Sequence, residues 1–311
     1  MSPIQRTLLR PMTLAATILL AGALVGGGCS RNQDAASGST AARTPVETVN
    51  RLIADLRGND LVKYADHALP PAVHRDLKVA WSEGRTTWPL TQLPLSEQLP
   101  GFIATLAAPD AETSILASFR RQFAGADREL QAAASTLGLF AAQYVEQSTD
   151  YSDLEREHYA QLIAALSGWG AKAPLSDPAR AKKAIPQLVA AARLTGLGGA
   201  DALRQAGMER SLTRLGPLLA RFKTVLTVYG LDIDAALAGA SVQLIEQTGD
   251  TARVALTYTL AGQPVAAQIA LERRTGRWYL SDLTRHAEIQ ATLQPATSPA
   301  LVADPSAARL H

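Results

Sequence analysis

The chain has 311 residues, 47% of them hydrophobic but only 5% aromatic, with 30 Lys+Arg against 28 Asp+Glu and a single cysteine. One cysteine excludes an internal disulfide, so the fold must rest on an apolar core, for which this length suffices as one sizeable domain or two small ones. Arg6 and Arg10 fall in the first 29 residues with no acid beside them, so everything after that point carries 28 cations and 28 anions. Such a balance lacks the basic excess of a general nucleic-acid binder, and no nucleic-acid partner is expected.

A basic start is followed by the apolar run Thr13–Val25 and then by Gly26-Gly27-Gly28-Cys29. A charged beginning, a short apolar run and a small-residue end form the pattern of an export signal, too short to span a bilayer. With the cysteine directly behind the small residues, residues 1–28 resemble a bacterial lipoprotein signal. That resemblance implies cleavage before Cys29, acylation of its thiol and new amino terminus (palmitate among the chains), and stable anchoring to a membrane of the cell envelope. In such lipoproteins Ser30, where a retained protein has Asp, implies the outer rather than the inner membrane. The box departs from its family at Gly26, where Leu or Val is preferred. The other reading of this stretch is an ordinary secretory signal cut after Ala21-Gly22-Ala23, leaving a free thiol.

Residues 29–43 are small, polar and aperiodic beyond the cysteine and read as a tether. Residues 44–240 read as helical. Thr44-Pro45-Val46-Glu47 combines a capping threonine, a proline in the first turn and a glutamate three residues on. Val46, Val49, Ile53 and Leu56 follow at helical spacing up to Gly58. Asn59-Asp60 recaps a short helix ending at Pro70-Pro71. A further short helix is expected near 72–83, then an irregular crossing punctuated by Trp88, Pro89, Pro94, Pro100 and Pro109. Asp110 opens a helix ending near Gly125, and Asp127 opens a long one with the stripe Leu130, Ala134, Leu137, Ala141 and Tyr144. Ser152 and Glu155 form a capping box for a helix to about Gly168. Ser176-Asp177-Pro178 opens another to about Leu194, with a kink or break expected at Pro186. Met208, Leu212, Leu215, Leu219, Phe222, Leu226 and Tyr229 recur at spacings of four and three, the mark of a core helix or of a seam for a partner helix.

After Gly239 the period changes from 3.6 to 2. Residues 241–283 alternate through three or four strands separated by Thr248-Gly249-Asp250, Ala261-Gly262 and Thr275-Gly276, an antiparallel meander that needs helices over its apolar face. The tail, 284–311, is expected to be mostly disordered. The fold class is therefore α+β and predominantly helical, a bundle of about seven to nine helices followed by a C-terminal antiparallel meander in the same domain. The first helix running into Leu56-Arg57-Gly58-Asn59-Asp60, paired with a last strand Gly276-Arg277-Trp278-Tyr279-Leu280, is similar to exported NTF2-like (cystatin-like) lipoprotein domains. That resemblance implies an early helix against a curved sheet and a pocket for a small apolar ligand. The helices between about 110 and 240 depart from it, and the family has no shared catalytic set.

No catalytic constellation, cofactor motif or metal pattern emerges. Of the five histidines, His158 lies one turn from both Leu154 and Leu162 and reads as a packed, hydrogen-bonded histidine rather than a ligand. Asp66-His67 and His74-x-Asp76 lack a nucleophile and read as surface or capping residues. Gly196-Leu197-Gly198-Gly199 follows a helix and reads as a helix stop, and Asp232 as an N-cap. Two candidate contact surfaces stand out. One is Trp81, Arg85 and Trp88 in the crossing, where the tryptophans could equally plug the core; the other is Arg210, Arg214 and Arg221, which share one helical face opposite the Met208–Tyr229 stripe and read otherwise as a plain solvated face. The functional expectation is a lipid-anchored, periplasm-facing envelope protein with a non-catalytic binding or structural role. It would be attached to the membrane through lipid on Cys29 and would engage an envelope protein partner, with oligomeric state open. The rivals are a carrier of a small apolar ligand and an immunity or inhibitor lipoprotein against an envelope-targeted toxin or hydrolase.

Overall fold

The computed structural model describes residues 42–93, 96–199 and 201–294; Cys29, the signal, nearly all of the tether and the last 17 residues lie outside them. Among the described residues, twelve α-helices and one four-stranded sheet follow in order: α1 (Pro45–Arg57), α2 (Leu61–Ala68), α3 (Pro71–Ser82), α4 (Leu99–Ala107), α5 (Ala111–Gln122), α6 (Asp127–Gln147), α7 (Asp153–Gly170), α8 (Pro178–Thr195), α9 (Ala202–Ala206), α10 (Met208–Val228), α11 (Ile233–Ala238), β1 (Ser241–Thr248), β2 (Thr251–Leu260), β3 (Gln263–Arg274), β4 (Arg277–Leu280) and α12 (Ser281–Thr292). Helices followed by a C-terminal antiparallel meander are the expected architecture. The helices are more numerous than seven to nine because short turns such as α4, α9 and α11 form where prolines and glycines suggested loops. At α4, Pro100 falls in the first turn, where its missing N–H costs nothing.

Local capping works largely as the residues suggest. The Thr44 side chain accepts from the Glu47 N–H, Asp60 from Lys63 and Asp232 from Ala235. At α7 both halves of the Ser152/Glu155 box are made. Asp110 occupies its cap position without a capping bond. Pro186 is carried inside α8 without ending it, and Gly196 closes that helix in the left-handed conformation.

The sheet has the order β1-β2-β3-β4, each pair antiparallel. Ala261-Gly262 and Thr275-Gly276 both have positive φ, as two-residue hairpin turns require. On β2 the alternation is as read from the sequence, with Ala252, Val254, Leu256, Tyr258 and Leu260 all buried. That face meets α1, α7 and α11, whose Val49, Ile53, Leu162, Ala165, Ile233 and Leu237 complete one apolar core.

A second core lies among the helices and the loops that join them, built from Leu69, Leu77, Trp81, Trp88, Ile103, Val189, Leu197, Leu212 and Leu215 among others. α10 joins the two, giving Leu212 and Leu215 to the helical core and Leu226 to the sheet core. The α1–α2 corner rests on it. Gly216 lies so close to the Asn59 carbonyl that a Cβ there would sit 2.5 Å from that oxygen. The buried Lys223 ammonium donates to the Leu56 and Arg57 carbonyls, 2.9 and 3.5 Å away, and pairs with Asp234. Those carbonyls lie in the last turn of α1, where no i+4 backbone N–H reaches them, so a lysine inside the fold joins Asn59 in capping the helix.

The C-terminal segment corrects the first part of an expectation: of residues 284–311, those up to 292 belong to a helix, and 295–311 lie outside the described residues. Residues 281–292 are helical, not disordered. Ala287 and Thr284 are fully buried, and α12 lies along α3. Polar composition concealed a narrow apolar edge, Leu283, Ala287 and Ala291, spaced at i+4.

Candidate functional site

The tryptophan surface expected near residues 81–90 is not a surface. Trp81 and Trp88 are both 0% exposed, and the Trp81 indole N–H donates to the Leu203 carbonyl at 2.8 Å. Large aromatic rings in a proline-rich crossing fill the helical core, because burying them is worth more than displaying them. Arg85 turns inward as well, donating to the Ala291 and Leu293 carbonyls at 2.6 and 2.9 Å and to Glu83 at 2.6 Å. It thereby satisfies the C-terminal carbonyls of α12. An inhibitor docking through exposed aromatics at 81–90 has no such patch to use.

Arg210, Arg214 and Arg221 lie exposed along α10. Arg221 donates to the Gln187 amide oxygen at 3.1 Å. They form one solvated basic face, and Glu209 lies on another side of the helix, paired with Lys78.

The densest polar cluster joins the start of α7 to α12. The Glu155 carboxylate accepts from Ser152 N–H and from Arg285 at 2.9 Å each, with His286 Nε2 3.6 Å away. Ser152 Oγ donates to Asp282 at 2.8 Å. The Tyr151 ring stands edge-on to Tyr159 and to His286. Burial pushes the Glu155 carboxyl above the usual glutamate range, opposed by its hydrogen bond from Ser152 and by the nearby His286 and Arg285 charges. The Arg285, Asp282 and His286 contacts tie α12 to the start of α7, so the cluster reads as the clasp of α12.

The two Asp/His stretches pair differently from their order in the chain. His67 Nδ1 lies 2.6 Å from Asp55 Oδ2, and His74 Nδ1 lies 3.2 Å from Asp66 Oδ1. Burial raises the Asp55 carboxyl and, at His74, favours the neutral ring. His74 and Asp66 line a recess of about 50 Å³ with Lys78, Met208 and Glu209. The recess adjoins an open depression of about 570 Å³ over the start of α10, lined by Lys78, Glu209, Arg210 and Thr213. Lys78 and Glu209 pair across it at 3.3 Å. Among the described residues, no three His, Cys, Asp or Glu side chains stand close enough to hold a metal ion.

The space beneath the sheet, where an NTF2-like carrier would hold its ligand, is filled. Val254, Leu256, Leu260, Val265 and Leu271 are at most 1% exposed; side chains lining a cavity that admits a ligand would retain accessible area. His158, as expected, is packed there, sharing a hydrogen bond of 2.8 Å with the Tyr258 hydroxyl. Burial holds its pKa down to about 4, so the ring is neutral near pH 7.

The feature not read from the sequence is the outward turn of α6. Of its 21 residues only Val145 is buried, and its main packing partner is α7. Small residues face that partner: a Cβ at Gly138 would sit 2.3 Å from Ser167 Oγ, and Gly170 approaches the Ala134 methyl. The large apolar side chains point away, with Leu137, Leu139, Phe140 and Tyr144 exposed by 40, 74, 65 and 62%. A signal was present, since residues 130–145 contain no charge at all, but the same pattern also describes a buried helix. No helix among the described residues is long and apolar enough to cross a membrane. No protein-family model, curated protein or solved structure matches the chain.

Proposed function

We propose that this is a lipid-anchored protein of the bacterial cell envelope, facing the periplasm, with a non-catalytic binding or structural role. The observation that carries the reading is the N-terminal pattern: Arg6 and Arg10, the apolar Thr13–Val25, three glycines, and then the only cysteine of the chain. A lone cysteine at that position has a purpose as an acylation site and none as a disulfide partner. Ser30 favours the outer membrane. Two features of the folded part support the non-catalytic side. Its buried ionisable groups, Glu155, Asp55 and Lys223, hold elements together, and its sheet–helix interface has no room for a substrate-sized ligand. An envelope protein is the expected partner.

The test is fractionation together with labelling. Wild-type protein should co-sediment with membranes and take up radiolabelled palmitate. Cys29→Ala should lose the label and move to the soluble fraction. Continued membrane association of Cys29→Ala, or a wild-type Cys29 without acyl chains by intact mass, would overturn the reading.

A further inference from the structure

Helix α6 is amphipathic by size and turned outward. A helix held on a protein by Ala134, Gly138 and Val145 ordinarily buries its Leu and Phe side chains too. Here those side chains form the solvent face, and no charged residue interrupts it between Leu130 and Val145. Leu137, Phe140 and Tyr144 lie within roughly 60° of one another on the helical wheel with Ala133 among them, and Leu139 borders this face about 100° beyond Phe140, across Thr136 and Gln143. Contiguous apolar surface of this kind marks a contact site.

Area separates the two simplest occupants. Four side chains exposed by 40–74% offer on the order of 500 Å², short of the roughly 800 Å² that each partner of a stable dimer buries. A bilayer contact needs less when the protein is already tethered. The 12 residues between Cys29 and Ala42 span at most about 45 Å, more than twice the roughly 18 Å radius of gyration of a body this size. A tether of that reach allows faces other than the one beside its attachment point to meet the membrane. An acyl anchor also makes a second contact intramolecular, so a modest apolar stripe that would not bind vesicles from solution can still orient the domain. Aromatic side chains one turn apart suit the headgroup boundary, where Tyr places its ring in the apolar layer and its hydroxyl in water.

We infer that the Leu137–Tyr144 face of α6 lies on the lipid bilayer and orients the anchored domain there. This inference rests on acylation of Cys29. The occupant is the uncharged acyl–headgroup boundary of a phospholipid leaflet, since the stripe itself carries no basic side chain for anionic lipid.

The test uses the acylated full chain reconstituted in phosphatidylcholine–phosphatidylethanolamine vesicles containing nitroxide-labelled lipid. With the Cys29 thiol acylated, Leu139→Cys supplies the sole free thiol for a fluorophore, and Val79→Cys on α3, 51% exposed, supplies the control. Quenching at 139 should exceed that at 79 by at least threefold. Adding Phe140→Glu should reduce it to the control level while the protein stays on the vesicles with unchanged circular dichroism and Tm. Equal quenching at both sites of vesicle-bound protein would overturn the inference and leave the anchor standing. Shielding at 139 that disappears as protein is diluted in lipid would assign the face to a second copy and equally overturn it. An unacylated Cys29 by intact mass removes the anchor and this inference together.

Discussion

α6 and α10 are both 21 residues long, yet α6 buries one residue and α10 nine. Both carry an apolar stripe at helical spacing. The difference lies in what surrounds them. α10 passes between two cores, with α8 and α2 along its length and the α1–α2 corner on Gly216 and Lys223. α6 leans mainly on α7, through side chains small enough to bring the backbones together. Helical periodicity therefore tells which residues share a face, while the number of neighbours decides whether that face is core or surface.

Substitutions can break this contrast. Leu212→Ala, at a position 1% exposed, should destabilise the fold by about 2–5 kcal/mol through lost burial and the cavity left behind, read by denaturant unfolding. Acid should act through α7, whose other face looks into the sheet core. His158 has a folded pKa of about 4 against an unfolded value near 6.5, so the unfolded chain binds more protons in this window. Its contribution is fully present above pH 6.5 and is lost as pH falls toward 4, by about 3 kcal/mol. Glu155 and Asp55, raised by burial, oppose part of that fall, since each favours its protonated form when folded. Stability curves for wild type and His158→Asn should converge in shape above pH 6.5 and diverge below it; parallel curves would assign the acid sensitivity elsewhere.

Gly216→Ala comes next. Its Cβ would meet a backbone oxygen at 2.5 Å, so α10 and the α1–α2 corner must separate, costing about 1–3 kcal/mol with a matching drop in the denaturation midpoint. The smallest effect belongs to α6: Leu139→Gln, at a side chain 74% exposed, should change stability by no more than about 0.5 kcal/mol. A large loss there would mean that α6 is buried in the functional state.

The site residues divide along the same line. That His158 is packed could be read from its spacing, because Leu154 and Leu162 lie one turn away on the same helix; its hydrogen-bond partner, Tyr258, comes from the sheet 100 residues on. Trp81, Arg85 and Trp88 were misread as a contact surface. Their environment is made by Leu203, Ala291 and Leu293, residues more than 100 positions away, and no local pattern records that. The Asp/His pairs show the same limit: neighbours in the chain suggested dyads, and the packing of α1 on α2 and of α2 on α3 paired Asp55 with His67 and Asp66 with His74 instead.

What the sequence determined by itself was short-range: the caps at Thr44, Asp60, Ser152 and Asp177, the change of period after Gly239, the hairpin turns, and the N-terminal pattern ending in Cys29. The caps and the turns depend on hydrogen bonds or backbone angles within about four residues. Tertiary structure alone decided that the tryptophans go inside, that Lys223 caps α1, that α12 is a helix, and that Leu137, Leu139, Phe140 and Tyr144 face outward. Burial is a property of what packs against a residue, and for α6 no element of the described chain packs over that face.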